Sequence, residues 1–200
     1  KLAAVINGWG GKNLLHSYHI ERYKNSLRNT EFAQKFADSI GGYSPVPELE
    51  DDTAEGREAR EKAGAYLEAH ARAEFNIPGI TFGYRYDGSP IIMCEDTNLL
   101  PDLANEYIPT AVPGGRAPHA WLKEGNSLYD EFGFEFTLMC LRHDYGTNEI
   151  KSIISKKEAP IKFIEIYDDN LRSLYEADLV LIRPDQIVAW RGNNHDKFNN

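Results

Sequence analysis

The segment FEFTLMC, residues 134–140, is a short apolar run of the kind that forms a buried strand. TNEIKSIISKKEA, residues 147–159, follows it and predicts a helix with Thr147 as its N-cap and Glu149 in its first turn. IKFIEIY, residues 161–167, predicts a second strand. Because a crossover through a helix joins parallel strands, these two strands are expected to pair in parallel.

The segment ADLVLIRPDQIVAWRG, residues 177–192, completes this unit. Its tetrapeptide Arg183-Pro184-Asp185-Gln186 is typical of a type I turn with proline at the second position, which predicts an antiparallel hairpin. The order strand, helix, strand, hairpin matches the second half of a thioredoxin-like fold, although other α/β units share it. The predicted fold class is therefore α/β, and α+β when the helical first half is included.

Two long helices are predicted before this unit. Residues 14–40 have helically spaced apolar side chains without glycine or proline, and Gly41 and Gly42 end the pattern. One long helix is predicted here, and an interruption near Asn29 and Thr30 is the alternative. Residues 53–75 are rich in Ala, Glu and Arg, with Thr53 as a plausible N-cap. The apolar stripe of this second helix is thin, so we expect it to lie on a surface or against a domain outside this chain.

The pattern then changes from helical to extended. ITFGYRYDGSPIIMC, residues 80–94, predicts two short strands joined by a hairpin turn at Asp87 and Gly88. Residues 95–120 contain four prolines and predict a loop. The last part of this loop enters the segment PGGRAPHAWL, residues 113–122, whose glycines and prolines do not suit a regular helix or strand.

Composition and motifs exclude several classes of function. The chain has 200 residues and a net charge of -9, which argues against a nucleic-acid partner held by phosphate contacts. No apolar run approaches the roughly 20 residues of a membrane span. Neither G-x-G-x-x-G after a strand nor a phosphate-binding G-x-x-x-x-G-K-[ST] loop occurs in the sequence.

The cysteines and histidines give little indication of chemistry. Cys94 and Cys140 are expected to be buried free thiols of a cytoplasmic protein, without a disulfide between them. Because no C-x-x-C follows the first strand, disulfide exchange is not expected; a lone Cys140 thiol reacting beside His143 is the alternative. No metal site is predicted, since His16 and His19 lack a third ligand at suitable spacing. The other histidines are scattered singly: His70, His119, His143 and His195.

Five stretches, in order, resemble the C-terminal part of FAD-dependent aromatic hydroxylases. These are the single-component flavoprotein monooxygenases related to phenol hydroxylase and 3-(3-hydroxyphenyl)propionate hydroxylase. The stretches are KLAAVINGWGGKNLLHSYHIER (1–22), GYRYDGSPII (83–92), PGGRAPHAWL (113–122), SLYDEFGFEFTLM (127–139) and LIRPDQIVAWRG (181–192).

This resemblance implies a division of the chain into three parts. Residues 1–45 would contain the C-terminal helix of an FAD-binding domain, residues 46–112 a connecting helix and hairpin, and residues 113–200 a thioredoxin-like C-terminal domain without C-x-x-C. The FAD-binding motifs of the family would lie before Lys1. The chain is thus expected to be a structural, inactive C-terminal fragment, with no catalytic residue assigned and the cofactor-binding residues unknown.

The resemblance also implies the activity of the parent protein. That protein would be a cytoplasmic FAD- and NAD(P)H-dependent monooxygenase that hydroxylates a phenolic small molecule, without nucleic-acid or membrane partners, and a homodimer is a further expectation. The alternative is a non-catalytic thioredoxin-like module for interaction or dimerisation. A glycine-rich G-x-G-x-x-G motif upstream of Lys1 would favour the oxygenase.

The resemblance places the segment 113–122 at a junction between domains. Gly114 and Gly115 are expected to let the connector turn tightly, and Arg116 and His119 to hydrogen-bond exposed backbone at the junction. The alternative is that Arg116 or His119 helps to shape the flavin environment of the complete enzyme. Two further residues are expected to begin the following core: Trp121 and Leu122.

Overall fold

The computed structural model describes residues 1–95, 100–143, 145–157 and 159–194. Six α-helices and four strands are present in these ranges, together with 3-10 turns at Ile40–Gly42, Pro47–Glu50, Lys123–Gly125 and Leu128–Glu131. The helices are α1 (Leu2–Ile6), α2 (Leu14–Ser39), α3 (Ala54–Phe75), α4 (Pro78–Phe82), α5 (Thr147–Ile154) and α6 (Asp169–Tyr175). The strands are β1 (Phe136–Cys140), β2 (Ile161–Glu165), β3 (Leu179–Ile182) and β4 (Val188–Gly192).

The four strands form one mixed sheet in the order β2-β1-β3-β4. Strands β1 and β2 are parallel, as the helical crossover predicts. Strand β3 is antiparallel to both β1 and β4, so the predicted C-terminal hairpin is confirmed. The turn between β3 and β4 closes through a hydrogen bond from Gln186 N to Arg183 O of 2.9 Å.

Alternating side chains of the sheet enter two hydrophobic cores. On one face, Met139 and Val180 pack with Tyr175 of α6. On the other face, Leu138 and Leu179 pack with residues that include Ile150 of α5 and Trp190 of β4. This arrangement follows from the period of two along a strand, which sends neighbouring residues to opposite faces. The sheet is therefore covered by a helix on each side.

Two local predictions in this unit differ from the structure. The N-cap of α5 is Gly146, with φ of 42°, and no side chain caps the helix; the prediction of Thr147 as the cap is wrong. Helix α6 was not predicted, because seven residues are too short to show a clear helical period. Its N-terminus is nevertheless capped, since the Asp168 carboxylate accepts hydrogen bonds from the backbone N–H groups of Asn170 and Leu171.

The two long helices of the first half are confirmed. Helix α2 runs without interruption over 26 residues and ends before Gly41 and Gly42. Helix α3 begins after Thr53, whose hydroxyl accepts a hydrogen bond of 3.1 Å from Gly56 N. Only Gly56 and Ala63 of this helix are buried, so α3 lies on a surface as its thin apolar stripe predicts. No helix in the described ranges has the length and hydropathy required to span a bilayer.

The hairpin predicted over residues 80–94 is wrong. Residues 80–82 belong to helix α4, which begins at Pro78. Proline suits this first helical position because the N–H group it lacks would have no acceptor within the helix. A turn does form at Gly88, with φ of 74°, but its two sides pair with other parts of the chain. Tyr86 N donates to Gly114 O and Met93 N to Ala189 O, both at 2.9 Å.

Candidate functional site

The segment 113–122 pairs with the beginning of β4. Gly114 N donates to Val188 O at 2.8 Å, and Val188 N donates in return to Gly115 O at 3.0 Å. Ala117 N continues the pairing with a bond of 2.8 Å to Gln186 O. The connector is thus held in place by the C-terminal hairpin, at the point where the helical first half of the chain meets the sheet.

The backbone of this segment requires glycine at position 114, and Gly115 is closely surrounded by other side chains. Gly114 has φ of 95°, in the left-handed region that side chains disfavour. A Cβ atom at Gly115 would lie 2.8 Å from Nη1 of Arg85. Gly115 N also donates to Val112 O at 3.0 Å, which closes a tight turn. The prediction that glycine lets the connector turn tightly is therefore confirmed for Gly114, whereas Gly115 does not have a positive φ.

Arg116 connects three parts of the junction. Its Nη2 donates to Oε1 of Gln186 at 3.0 Å. Its guanidinium also lies 5.0 Å from the ring centroid of Phe82 in α4 and 5.3 Å from that of Tyr129, distances at which cation–π attraction operates. The expected bond from Arg116 to exposed backbone is wrong, because the backbone at this point is already paired and leaves side chains as the partners.

His119 lies within a group of aromatic rings. Its Nε2 is 2.9 Å from the hydroxyl of Ser127, not from a backbone atom as expected, and its ring meets Trp121 and Tyr129 edge to face. Trp121 is 72% exposed, so the prediction that it begins a core is wrong. Leu122 is half-buried and packs against the core beside α6, as expected. Trp121 pairs through its backbone with Ser127, and alternation along this short extended segment directs Leu122 inward.

A buried cluster of charges joins α2 to the C-terminal hairpin. The carboxylate of Glu21 is paired with the guanidinium of Arg183 through bonds of 2.7 and 3.0 Å. Their side chains are only 2% and 5% exposed. Glu21 also accepts bonds of 2.6 Å from Lys1 Nζ and from the hydroxyl of Ser89. On its other edge, Arg183 contacts both carboxylate oxygens of Asp185.

These contacts keep Glu21 ionised although it is buried. Burial raises the pKa of this carboxyl, but hydrogen bonds from Arg183, Lys1 and Ser89 outweigh it, so the net pKa of Glu21 lies below its ordinary value. Sequence reasoning missed this cluster, because Glu21 and Arg183 lie 162 positions apart. The only local signal is the polar character of Glu21 within an amphipathic helix, which is ordinary.

The two cysteines are free thiols and do not form a disulfide, as predicted. Cys140 is fully buried, whereas Cys94 is exposed, so the expectation that both are buried is wrong for Cys94. Burial raises the pKa of the Cys140 thiol, and its Sγ lies 3.4 Å from Arg142 O. The ring of His143 stacks on Tyr167 with centroids 3.8 Å apart. The geometry therefore gives no support to a reactive Cys140–His143 pair.

Two further histidines, His19 and His70, contact neighbouring side chains of the fold. His19 stacks on Tyr23, and Nε2 of His70 lies 2.9 Å from the hydroxyl of Ser39. Within residues 1–95, 100–143, 145–157 and 159–194, no group of His, Cys, Asp and Glu side chains could hold a metal ion. His195 lies outside the described residues.

A cavity of about 280 Å³ lies beside the segment 113–122, between α2, α4 and the connector that follows residue 99. We refer to it as the junction cavity. Its wall combines aromatic rings with charged side chains. Its lining includes Lys24, Asn25, Arg28, Gly79, Phe82, Tyr84, Arg85, Asp87, Asp102, Glu106, Tyr107, Gly115 and Arg116.

The junction and the sheet correspond to a known family. Residues 110–199 match the family model described as aromatic-ring hydroxylase, C-terminal. This part of the chain is thus similar to the C-terminal domain of the aromatic-ring hydroxylases, and the resemblance drawn from the five stretches is confirmed. The match begins just before the segment 113–122 and includes the whole sheet.

Two curated relatives are FAD-dependent or aromatic monooxygenases that match nearly the whole chain. The chain is 31% identical over 209 residues to the FAD-dependent monooxygenase apdD of Emericella nidulans, covering 97% of this chain and 33% of that protein. It is 25% identical over 243 residues to phenol 2-monooxygenase of a Pseudomonas species, covering 97% and 37%. The chain therefore spans only about a third of the length of these relatives.

The solved structures give the same result. The chain superposes on RebC, in a structure of its native and K252c-bound form, with a TM-score of 0.86 and 34% identity, covering 96% of this chain and 37% of RebC. Another structure of RebC, a rebeccamycin biosynthetic enzyme, contains reduced flavin. The mixed α/β arrangement described above is thus that of the C-terminal part of flavin monooxygenases.

Proposed function

We propose that this chain is the C-terminal part of an FAD- and NAD(P)H-dependent monooxygenase that hydroxylates an aromatic, phenolic substrate. The observation that carries the proposal is the match of 97% of the chain to a third of the FAD-dependent monooxygenase apdD. The phenolic substrate class is supported by the similarity to phenol 2-monooxygenase. By itself the chain is structural and inactive.

The described residues do not fit the pyrophosphate of FAD. Pyrophosphate sites use glycines that bring the backbone close to the ligand at the start of a helix. Among the glycines before α2, Gly10 serves another purpose: a Cβ atom there would lie 2.8 Å from Val5 N, so this close approach is to α1. The net charge of -9 adds no general attraction for phosphate. In our proposal, FAD is held by a part of the protein that precedes this chain.

We further propose a division into three parts. Residues 1–45 would close the FAD-binding domain, residues 46–112 would connect, and residues 113–200 would form a thioredoxin-like domain. The strand order β2-β1-β3-β4, with one parallel pair followed by an antiparallel hairpin, supports the thioredoxin-like assignment. The Glu21–Arg183 pair would fix the first part against the third.

The exposed apolar side chains of α1 and α2 support a partner surface in the complete protein. Such a surface would be covered by the FAD-binding domain or, in a homodimer, by a second copy. The exposed apolar side chains of this surface are Leu2, Ile6, Leu15, Tyr18 and Leu27.

The free thiols, one of them exposed, are consistent with a reducing cytoplasmic location.

The test compares the complete coding sequence that contains this chain with the 200-residue chain alone. We expect the complete protein to carry flavin absorbance and to oxidise NADH or NADPH faster when a phenol is added, with hydroxylated product seen by mass spectrometry. We expect the short chain to bind no FAD and to show no oxidase activity. A complete protein without flavin would instead favour a non-catalytic interaction module, and tight flavin binding by the short chain would contradict the assigned role.

A further inference from the structure

The junction cavity is bounded by elements that lie far apart in the sequence. Helix α2 contributes Lys24, Asn25 and Arg28, and the segment 113–122 contributes Gly115 and Arg116. The volume of about 280 Å³ is just below the range of about 300–1,000 Å³ that is usual for pockets of drug-sized ligands. A cavity of this size suits a ligand with a single ring.

The charges on the wall leave a surplus of one cation. Four basic and three acidic side chains line the cavity. Arg28 makes a two-bond pair with Asp102, at 2.5 and 2.6 Å, and Arg85 makes one with Asp87. Arg116 and Lys24 differ from these two, because among the described residues neither is paired with a carboxylate. Arg116 bonds the neutral amide of Gln186 and lies over two aromatic rings, and Lys24 donates to the backbone carbonyl of Asp87. With Glu106 as the third acidic side chain, the described wall keeps a net charge of +1. Within the part of the chain that the structure describes, the guanidinium of Arg116 is therefore not neutralised by a carboxylate.

Aromatic rings and hydrogen-bond donors form the rest of the wall. The rings of Phe82 and Tyr107 contact each other, with centroids 5.8 Å apart, and Tyr84 lies on the same cavity. Burial raises the pKa of both tyrosines, so their hydroxyls remain protonated donors at neutral pH. Asn25, a further wall residue, is 5% exposed, and its amide nitrogen is buried without a hydrogen-bond partner among the residues that the structure describes. Unsatisfied groups of this kind are rare in folded proteins.

We propose that the junction cavity is a binding site for a small aromatic monoanion, a single ring that carries one carboxylate. The ring would lie among Phe82, Tyr84 and Tyr107, and the carboxylate would accept hydrogen bonds from the guanidinium of Arg116. A ligand of charge -1 matches the surplus charge of the wall. The site lies within this chain and does not depend on the flavin or on the proposed oxygenase activity.

The test is a titration of the ¹⁵N-labelled 200-residue chain with benzoate, followed by NMR. We expect saturable shifts at Gly79 and Gly115, two wall residues whose amide signals report on the cavity. Benzamide, which has the same shape without the charge, is expected to bind at least about tenfold more weakly, since hydrogen bonds to charged groups are the stronger ones. Cyclohexanecarboxylate tests the contribution of the flat ring and is also expected to bind more weakly.

Two substitutions test whether benzoate binds in the junction cavity. Arg116→Gln is expected to weaken benzoate binding by about tenfold or more. Arg142→Gln is the matched control, since Arg142 is an arginine away from the cavity with a side chain 55% exposed, and it should leave the affinity unchanged. If Arg116→Gln loses the dispersed spectrum of a folded chain, the comparison of benzoate with benzamide on the unmodified chain decides.

Three results would overturn the proposal. The first is the absence of saturable shifts at Gly79 and Gly115 with millimolar benzoate. The second is equal affinity for benzoate and benzamide, which would mean that the charge of Arg116 takes no part in recognition. The third is a folded Arg116→Gln variant that binds benzoate as the unmodified chain does.

Discussion

Replacing Glu21 with alanine removes the central carboxylate of the charge cluster that joins α2 to the C-terminal hairpin. Arg183, which is 5% exposed, then loses two of its four carboxylate contacts and keeps only those to Asp185. The hydroxyl of Ser89 and the ammonium of Lys1 also lose their acceptor. Removing one partner of a buried pair leaves the other charge poorly compensated, which costs about 3–5 kcal/mol.

A loss of that size is a large part of the free energy of unfolding, since the total for a domain is typically about 5–15 kcal/mol. Urea unfolding of Glu21→Ala and of the unmodified chain, followed by circular dichroism at neutral pH, measures the difference. The control is Glu58→Ala, which breaks an exposed ion pair with Lys62 and should leave the urea midpoint unchanged. A midpoint for Glu21→Ala equal to that of the control would refute the reasoning.

The same pair should make stability depend on pH. The pKa of Glu21 lies below its ordinary value of 4.5 in the folded chain, so its stabilising contribution is present above that pH and is lost as the pH falls through the folded pKa. Glu21→Gln removes this titration. We therefore expect its free energy of unfolding to change less between pH 6 and strongly acidic solution than that of the unmodified chain, measured with the same urea assay.

Three further predictions concern other parts of the molecule. A thiol reagent should modify one cysteine, Cys94, quickly in the folded chain, and Cys140 only after unfolding; mass spectrometry of the labelled peptides would show a different order if the burial were wrong. Tyr175→Phe removes the buried bond of 2.7 Å to Pro118 O and should lower the free energy of unfolding by about 1–3 kcal/mol, whereas an unchanged urea midpoint would mean that this bond contributes little. Amide hydrogen exchange should be faster in α3, which buries only Gly56 and Ala63, than in β1 and β2; equal protection would contradict the marginal packing of that helix.

The sheet could be predicted because its signals are local. Residues 134–140 and 161–167 are short apolar runs, and the Pro184 turn fixes the final hairpin. The helices 14–40 and 53–75 were also found from period and composition, to within a residue or two. In each case, the side chains that define the element are close neighbours in the sequence.

The prediction of a hairpin at residues 80–94 was wrong because the pairing partners of this segment are distant in the sequence. Asp87 and Gly88 do make a turn, but the partners of its two sides are Gly114 and Ala189, which no local pattern indicates. Pro90 also lacks the N–H that a regular hairpin ladder would use at that position. Competition from distant partners decided the structure of this segment.

The position of the junction at residues 113–122 could be predicted from the sequence, but the side-chain contacts made there could not. The composition of residues 113–122 indicated an irregular connector, and Gly114 has the positive φ that this requires. The side-chain partners of Arg116 and His119 come from α4, the β3–β4 turn and residues 127–129, so they depend on tertiary packing. The junction cavity and the Glu21–Arg183 pair have no sequence signature at all.

The distance of 162 residues between Glu21 and Arg183 also has a consequence for the order of folding during synthesis. Domains generally fold as they leave the ribosome, N-terminal part first. Helix α2 would be synthesised long before Arg183, so the carboxylate of Glu21 lacks its guanidinium partner until almost the last strand has emerged. Nascent chains stalled before residue 183 should therefore leave α2 open to proteolysis, whereas release of the whole chain should protect it within a single late step.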